Sequence, residues 1–241
     1  MVARELVWEG CVNVRDLGGL TTEDGRVTRF GAVVRADSIR SLSDAGWEAL
    51  LRYGVARIVD LRWHDELAAD PPRDLDVEVV HVPVFPDLGD EAWEAAEASL
   101  GDRGREYAWL LETGAERFSA AVTAVAEADG GPVVVHCAAG KDRTGLVVAL
   151  MLRLAGVPLE EVVHDYVLSG RNLAPLIEPW IETAPDERER DRRRYVAQTP
   201  PGAIEHAVRD VERRHRSVDE YLRSGGTSDR TLERIRERLL G

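Results

Sequence analysis

Short apolar runs alternate along this chain with longer stretches whose apolar residues recur at helical spacing. Ala32 to Arg35, Val55 to Leu61, Val77 to Val84 and Val133 to His136 read as strands. Ser43 to Tyr53 predicts a helix that starts at a capping serine and turns Trp47, Leu50 and Leu51 inward. Ala115 to Ala128 sets Phe118, Val122 and Val125 on one stripe. Leu146 to Leu154 is almost wholly apolar and reads as a buried helix, stopped by Gly156 and Pro158. Leu159 to Ser169 follows, then a final helical pair, Ile204 to Arg223 and Thr231 to Leu240. Pro71-Pro72 marks a turn, and Gly130-Gly131-Pro132 closes the helix ahead of the last strand. Strands interleaved with helices predict an α/β fold: a mainly parallel central sheet flanked by helices, with a helical C-terminal part.

In such sheets ligands gather at the carboxyl ends of strands. The ends of the predicted strands carry Asp60-Leu61-Arg62, Phe85-Pro86-Asp87 and His136-Cys137. The last continues as Ala138-Ala139-Gly140-Lys141-Asp142-Arg143-Thr144-Gly145. A strand, a loop of small residues and a helix start make a cradle of backbone N–H groups aimed at one point. Cys137 and Arg143 bracket that loop at the spacing that lets it fold around a tetrahedral oxyanion. The amides, the helix dipole and Arg143 favour the thiolate form of Cys137, giving a nucleophile at neutral pH. An inert core cysteine is the plainer reading of a lone Cys, but both flanks supply the context that the motif demands.

Composition narrows the partners. The 241 residues suit a single domain over 1–241 with an ordinary apolar share of 44%. A net charge of −13 argues against nucleic acid and against attraction to anionic membranes, so an anionic substrate needs local positive charge. Among the 31 basic residues the single lysine is Lys141, which suggests that a compact, flexible ammonium serves in the loop. The N-terminus has no apolar run of signal-peptide length and no segment approaches a membrane span, which points to a cytoplasmic protein without integral membrane association. Only Cys11 and Cys137 are available for a disulfide, which fits a reducing compartment. Two distant cysteines and scattered histidines offer no metal-ligand spacing, and no cofactor is expected.

The string His136-Cys137-Ala138-Ala139-Gly140-Lys141-Asp142-Arg143-Thr144-Gly145 resembles the signature loop of protein tyrosine phosphatases. It is most similar to that of the bacterial tyrosine, dual-specificity and inositol-lipid phosphatases whose loop carries Gly-Lys-Asp-Arg. Asn13-Val14-Arg15-Asp16-Leu17-Gly18-Gly19 resembles that family's N-terminal signature, Val59-Asp60-Leu61-Arg62 its strand end, and Asp165-Tyr166 its post-loop helix. The tail Ser217 to Leu222 is similar to its C-terminal helix, while segments 88 to 114 and 171 to 200 carry no recognisable motif.

The resemblance implies a phosphatase that acts on phosphotyrosine, with phosphoserine, phosphothreonine or inositol phosphates as further substrates. Cys137 attacks phosphorus, a carboxylic acid protonates the leaving group, and water then hydrolyses the phosphocysteine. Arg143 clamps equatorial oxygens, and the loop from Ala138 to Thr144 binds the phosphate, with Thr144 also donating to the cysteine sulfur. His136 is expected to order the loop. Asp87 and Asp142 are both candidates for the acid, whereas Asp60 is expected beneath the loop, paired with an arginine. Arg15 and Asp16 are candidate supports or phosphate contacts, and Arg35, Asp37 and Arg62 lie further out. The charge run at 186 to 194 reads first as a solvated helical face, and second as a lid within 171–200 whose arginines meet substrate phosphates.

Two other classes compete. A phospho-ligand binding module would normally lack the cysteine or the arginine, and both are here. Sulfurtransferase loops differ in spacing, and small arsenate reductases carry the cysteine near the N-terminus.

Overall fold

The computed structural model describes residues 4–71, 73, 76–89, 92–93, 95–96 and 100–241, so Pro72 of the predicted turn lies outside it. The described strands are β1 (Arg15–Asp16), β2 (Val33–Ala36), β3 (Arg57–Asp60), β4 (Glu78–His81) and β5 (Val133–His136). They form one sheet in the order β1-β2-β5-β3-β4. β1 runs antiparallel on the edge, and the other pairs are parallel. Side chains alternate between its faces. Val33, Val59, Val133 and Val135 enter the larger core, whereas Val34, Ile58 and Val134 join a smaller one around Trp8, Trp47 and Leu50.

The register sets the site. His136 stands opposite both Ala36 and Asp60, so β2, β3 and β5 end at one level. Cys137, Asp37 and Leu61-Arg62 therefore leave the sheet side by side.

The described helices include α1 (Asp44–Arg52), α2 (His64–Ala69), α3 (Arg103–Thr113), α4 (Ala115–Ala126), α5 (Asp142–Leu154), α6 (Leu159–Glu182), α7 (Glu187–Ala197), α8 (Pro201–His215), α9 (Val218–Ser224) and α10 (Asp229–Leu240). Ser43 caps α1 as expected, accepting from the Gly46 N–H. Its buried stripe is Gly46, Trp47 and Leu50, and Leu51 falls off that stripe at 45% exposure. α5 starts at Asp142, inside the loop motif, because the turn closes as soon as Gly145 N donates to Lys141 O at 2.8 Å.

Two boundaries differ more. α6 does not stop at Ser169; it runs through Gly170, Pro175 and Pro179 to Glu182. A Cβ at Gly170 would meet the Thr199 hydroxyl, so the helix packs closely on that side chain there. The predicted helix over 204 to 223 is two, broken at Arg216, which takes a positive φ of 72° before Ser217 caps α9.

Candidate active site

Loop 137–141 is shaped by what holds its carbonyls. Ser38 N donates to Ala138 O at 2.8 Å, and Asn13 Nδ2 donates to Ala139 O at 2.9 Å and Gly140 O at 3.2 Å. Arg35 Nη2 donates to Gly140 O at 2.6 Å. A trans peptide is planar, so each carbonyl turned outward sends the following N–H the opposite way. The amides of Ala139, Gly140 and Lys141 therefore face the hollow above Cys137, and the first-turn amides of α5 join them. Gly140 sits at φ 62°, and a Cβ there would run into the Ala36 carbonyl, so only glycine closes this turn. Asn13 is itself set by Asp37, whose carboxylate accepts from Val12 N and Asn13 N at 3.0 Å each.

Cys137 is buried at the base of a cleft of about 750 Å³ that Asp87, Asp142 and Arg143 also line. Arg143 is buried too. Burial would lower its pKa, but Cys137 and Glu66 outweigh that and hold the guanidinium charged. Glu66 binds both terminal nitrogens of Arg143, one at 3.0 Å, and the guanidinium stacks 4.5 Å from the Trp63 ring centre. Sequence reasoning passed over Glu66. Its local signal is an acid in the first turn of α2, where it accepts from the Trp63 N–H at 2.8 Å.

The two candidate acids stand in different surroundings. Asp87 is exposed on the rim of the cleft. Asp142 accepts from Arg103 Nη2 at 2.7 Å and from the Tyr107 hydroxyl. Burial would raise its pKa; Lys141, Arg103 and Tyr107 overcome that and keep it ionised. Thr144 Oγ1 is buried and has no hydrogen-bond partner among the described residues.

Lys141 is not a mobile cation here. Its ammonium is buried and donates to Val196 O and, at 3.3 Å, to Gln198 O, closing the C-terminal end of α7. Asp16 lies away from the loop as well: it accepts from Gly18 N at 2.6 Å, Gly31 N at 2.8 Å and the Tyr53 hydroxyl, which makes it a turn anchor rather than a phosphate contact. Arg15 reaches beneath the loop, where its Nη1 donates to Asn13 Oδ1 at 2.6 Å and its Nε to Asp165 at 3.1 Å. Asp60 pairs with Arg62 at 2.8 Å and lies 3.6 Å from His136 Nε2, whose pKa is lowered chiefly by burial. His136 Nδ1 lies 3.2 Å from Cys137 O.

The unassigned segments supply the cleft's outer lining. α6 contributes Leu173, Leu176, Ile177 and Trp180, and α7 contributes Arg192, Val196 and Ala197. Most arginines of the charge run are occupied along their own helix: Arg190 with Glu187, Arg193 with Glu189 at 2.8 Å, and Arg194 with Asp191 at 2.9 Å. No described helix is long and apolar enough to cross a membrane.

Several known proteins are similar to this chain. A triple specificity protein phosphatase, PtpB of Mycobacterium tuberculosis, is 30% identical over the full length of both chains. A tyrosine-protein phosphatase of Nostoc commune is 28% identical over 86% of this chain and 74% of its own. A crystal structure of P. aeruginosa TpbA aligns with 73% of this chain and 86% of its own at 23% identity, with a TM-score of only 0.32. The sequence profile of the tyrosine phosphatase family matches residues 6–241, and the chain belongs to that family.

Proposed function

We propose that this enzyme hydrolyses phosphotyrosine in proteins through a phosphocysteine intermediate, with Cys137 as nucleophile and Arg143 as clamp. The observation that carries the reading is the set of outward carbonyls at 138–140, which leaves inward amides and a guanidinium around one thiol. The thiolate attacks phosphorus in line while the P–O bond to the leaving group breaks. Charge growing on the equatorial oxygens meets the amides and the open edge of Arg143.

Asp87 protonates the leaving oxygen and then takes the proton of the attacking water. It suits that work better than Asp142, whose carboxylate is already occupied by Arg103 and Tyr107. Thr144 is free to donate to the departing sulfur in the second step.

The chain acts as one phosphatase domain, with 171–200 covering the cleft as a lid from within it. A cytoplasmic, reducing setting suits a nucleophile that pairing with Cys11 would silence. Dual specificity toward phosphoserine and phosphothreonine is supported by the small rim residues Ala138 and Ala139. Inositol phosphates form a second substrate class, supported by Arg192, which lines the cleft from α7 while pairing with Glu189 at 3.5 Å.

The deciding experiment measures phosphate release from phosphotyrosine, phosphoserine and inositol-lipid substrates by the parent enzyme and Cys137→Ser. The serine variant is expected to lose turnover and keep oxyanion binding. A tenth of the parent rate surviving in that variant would rule out the thiolate mechanism.

A further inference from the structure

Arg15 and Arg35 stand directly opposite each other across β1 and β2, both buried to 1% exposure or less. Like charges in that relation are destabilising. They are held by Asp165 of α6, which receives Arg15 Nε at 3.1 Å and Arg35 Nη1 at 2.6 Å. Arg4 joins the same carboxylate, and Ser169 Oγ accepts from Arg15 at 3.0 Å and Arg35 at 3.3 Å. Three guanidiniums thus share one buried carboxylate, an excess of positive charge directly behind the loop. An apolar cluster of the same volume would often stabilise the fold as well or better, so fold stability alone gives little reason for the excess.

The cluster touches the loop from two sides. Arg35 holds the Gly140 carbonyl at 2.6 Å. The residue after Asp165, Tyr166, meets the Tyr107 hydroxyl at 3.0 Å, and Tyr107 in turn donates to Asp142.

We propose that Asp165, with Arg15 and Arg35, positions the loop for catalysis: Arg35 holds the Gly140 carbonyl turned out of the cradle, and the surplus positive charge raises the cradle's affinity for a phosphoryl dianion. The inference rests on the phosphatase reading of the loop. Arg35 acts through Gly140 and is a positioning residue.

The experiment uses inorganic phosphate as probe in a Cys137→Ser background, with kcat and KM measured in the active parent. Arg35→Met is expected to weaken phosphate binding ~10-fold or more and to lower kcat. Arg35→Lys keeps the charge but lacks the planar fork that reaches both Asp165 and Gly140. It should recover phosphate binding to within about threefold while kcat stays low. Arg4→Met removes one surplus charge at the partly exposed edge without touching a loop carbonyl, and should weaken binding a few-fold at low salt. If Arg35→Met fails to fold, the lysine and Arg4 variants decide. Parental phosphate binding and kcat in all folded variants would overturn the proposal. Failure of the parent itself to bind phosphate would instead overturn the phosphatase reading.

Discussion

Glu66 holds both terminal nitrogens of Arg143, so the guanidinium presents only its Nε edge to the cleft while Trp63 covers its face. A carboxylate so placed is either a positioning clamp behind the arginine or a plug that phosphate must displace. The free Nε edge favours the clamp, because a two-point contact with a phosphoryl group needs only one edge. Glu66→Gln is therefore expected to lower kcat/KM about tenfold with little change in Tm. Stopped-flow or steady-state assays on nitrophenyl phosphate measure it. A rise in kcat/KM would show that Glu66 competes with substrate.

The acid is separable by leaving group. Asp87→Asn should slow alkyl phosphates, which need protonation, far more than nitrophenyl phosphate, which needs little. Asp142→Asn should slow both alike, because it takes away the negative charge that holds Arg103 and Tyr107 beside the loop. Leaving-group dependence appearing in the Asp142 variant and not the Asp87 variant would reverse the assignment.

The loop was legible because its signal is local. Strand β5 over Val133–His136, Cys137, Gly140 and Arg143 all sit within one strand–turn–helix unit, where spacing alone dictates chemistry. What escaped depends on contacts between distant segments. Arg35 and Asp165 lie 130 positions apart, and Glu66 and Arg143 lie 77 apart. No periodicity in either segment encodes such a pair. The helix boundaries failed for a related reason. Gly170, Pro175 and Pro179 are breakers by propensity, yet α6 runs through all three, and Gly170 lies where the helix packs closely on Thr199.

Lys141 reads in the sequence as a compact, flexible ammonium serving the loop, and the structure commits it to the end of α7 instead. Lys141→Ala should accordingly depress rates on phosphopeptide and inositide alike, by about tenfold, since it loosens the loop and the end of α7 together. Hydrogen exchange over 187–197 should speed up in the same variant. A loss confined to the inositide, with unchanged exchange, would restore the direct-contact reading.

Gly140 admits no side chain. Gly140→Ala combines a positive φ with a collision against the Ala36 carbonyl, for a cost of about 1–3 kcal/mol in backbone strain before the clash is counted. The substitution should lower Tm by several degrees and turn the Gly140 carbonyl or amide, abolishing oxyanion binding. Calorimetry with and without vanadate reads both effects, and vanadate stabilisation surviving in the variant would contradict the cradle geometry.

Acid should unfold this protein through Asp60, Asp142 and Asp165, against which only buried Asp37, raised by its burial, works in the opposite sense among the shifted aspartates beside the loop. Burial alone would raise Asp60, Asp142 and Asp165, but their arginine, lysine and histidine neighbours win, and Asp165 ends far below the ordinary range. In the unfolded chain such groups titrate near about 3.9, so at acid pH the unfolded state binds more protons. Their contribution is therefore complete above roughly pH 5 and is lost progressively as pH falls below that. His136 adds to the same trend from a higher pH. Burial lowers its pKa in the fold, while the unfolded imidazole takes up a proton near about 6.5. Urea titrations should show stability declining gently from about pH 6.5 and steeply below about pH 4.5. Asp165→Asn should be less stable at neutral pH, because three guanidiniums lose their shared counter-charge, yet flatter in the acid limb. Equal acid slopes in the parent and the variant would mean that Asp165 is not held ionised by the cluster around it.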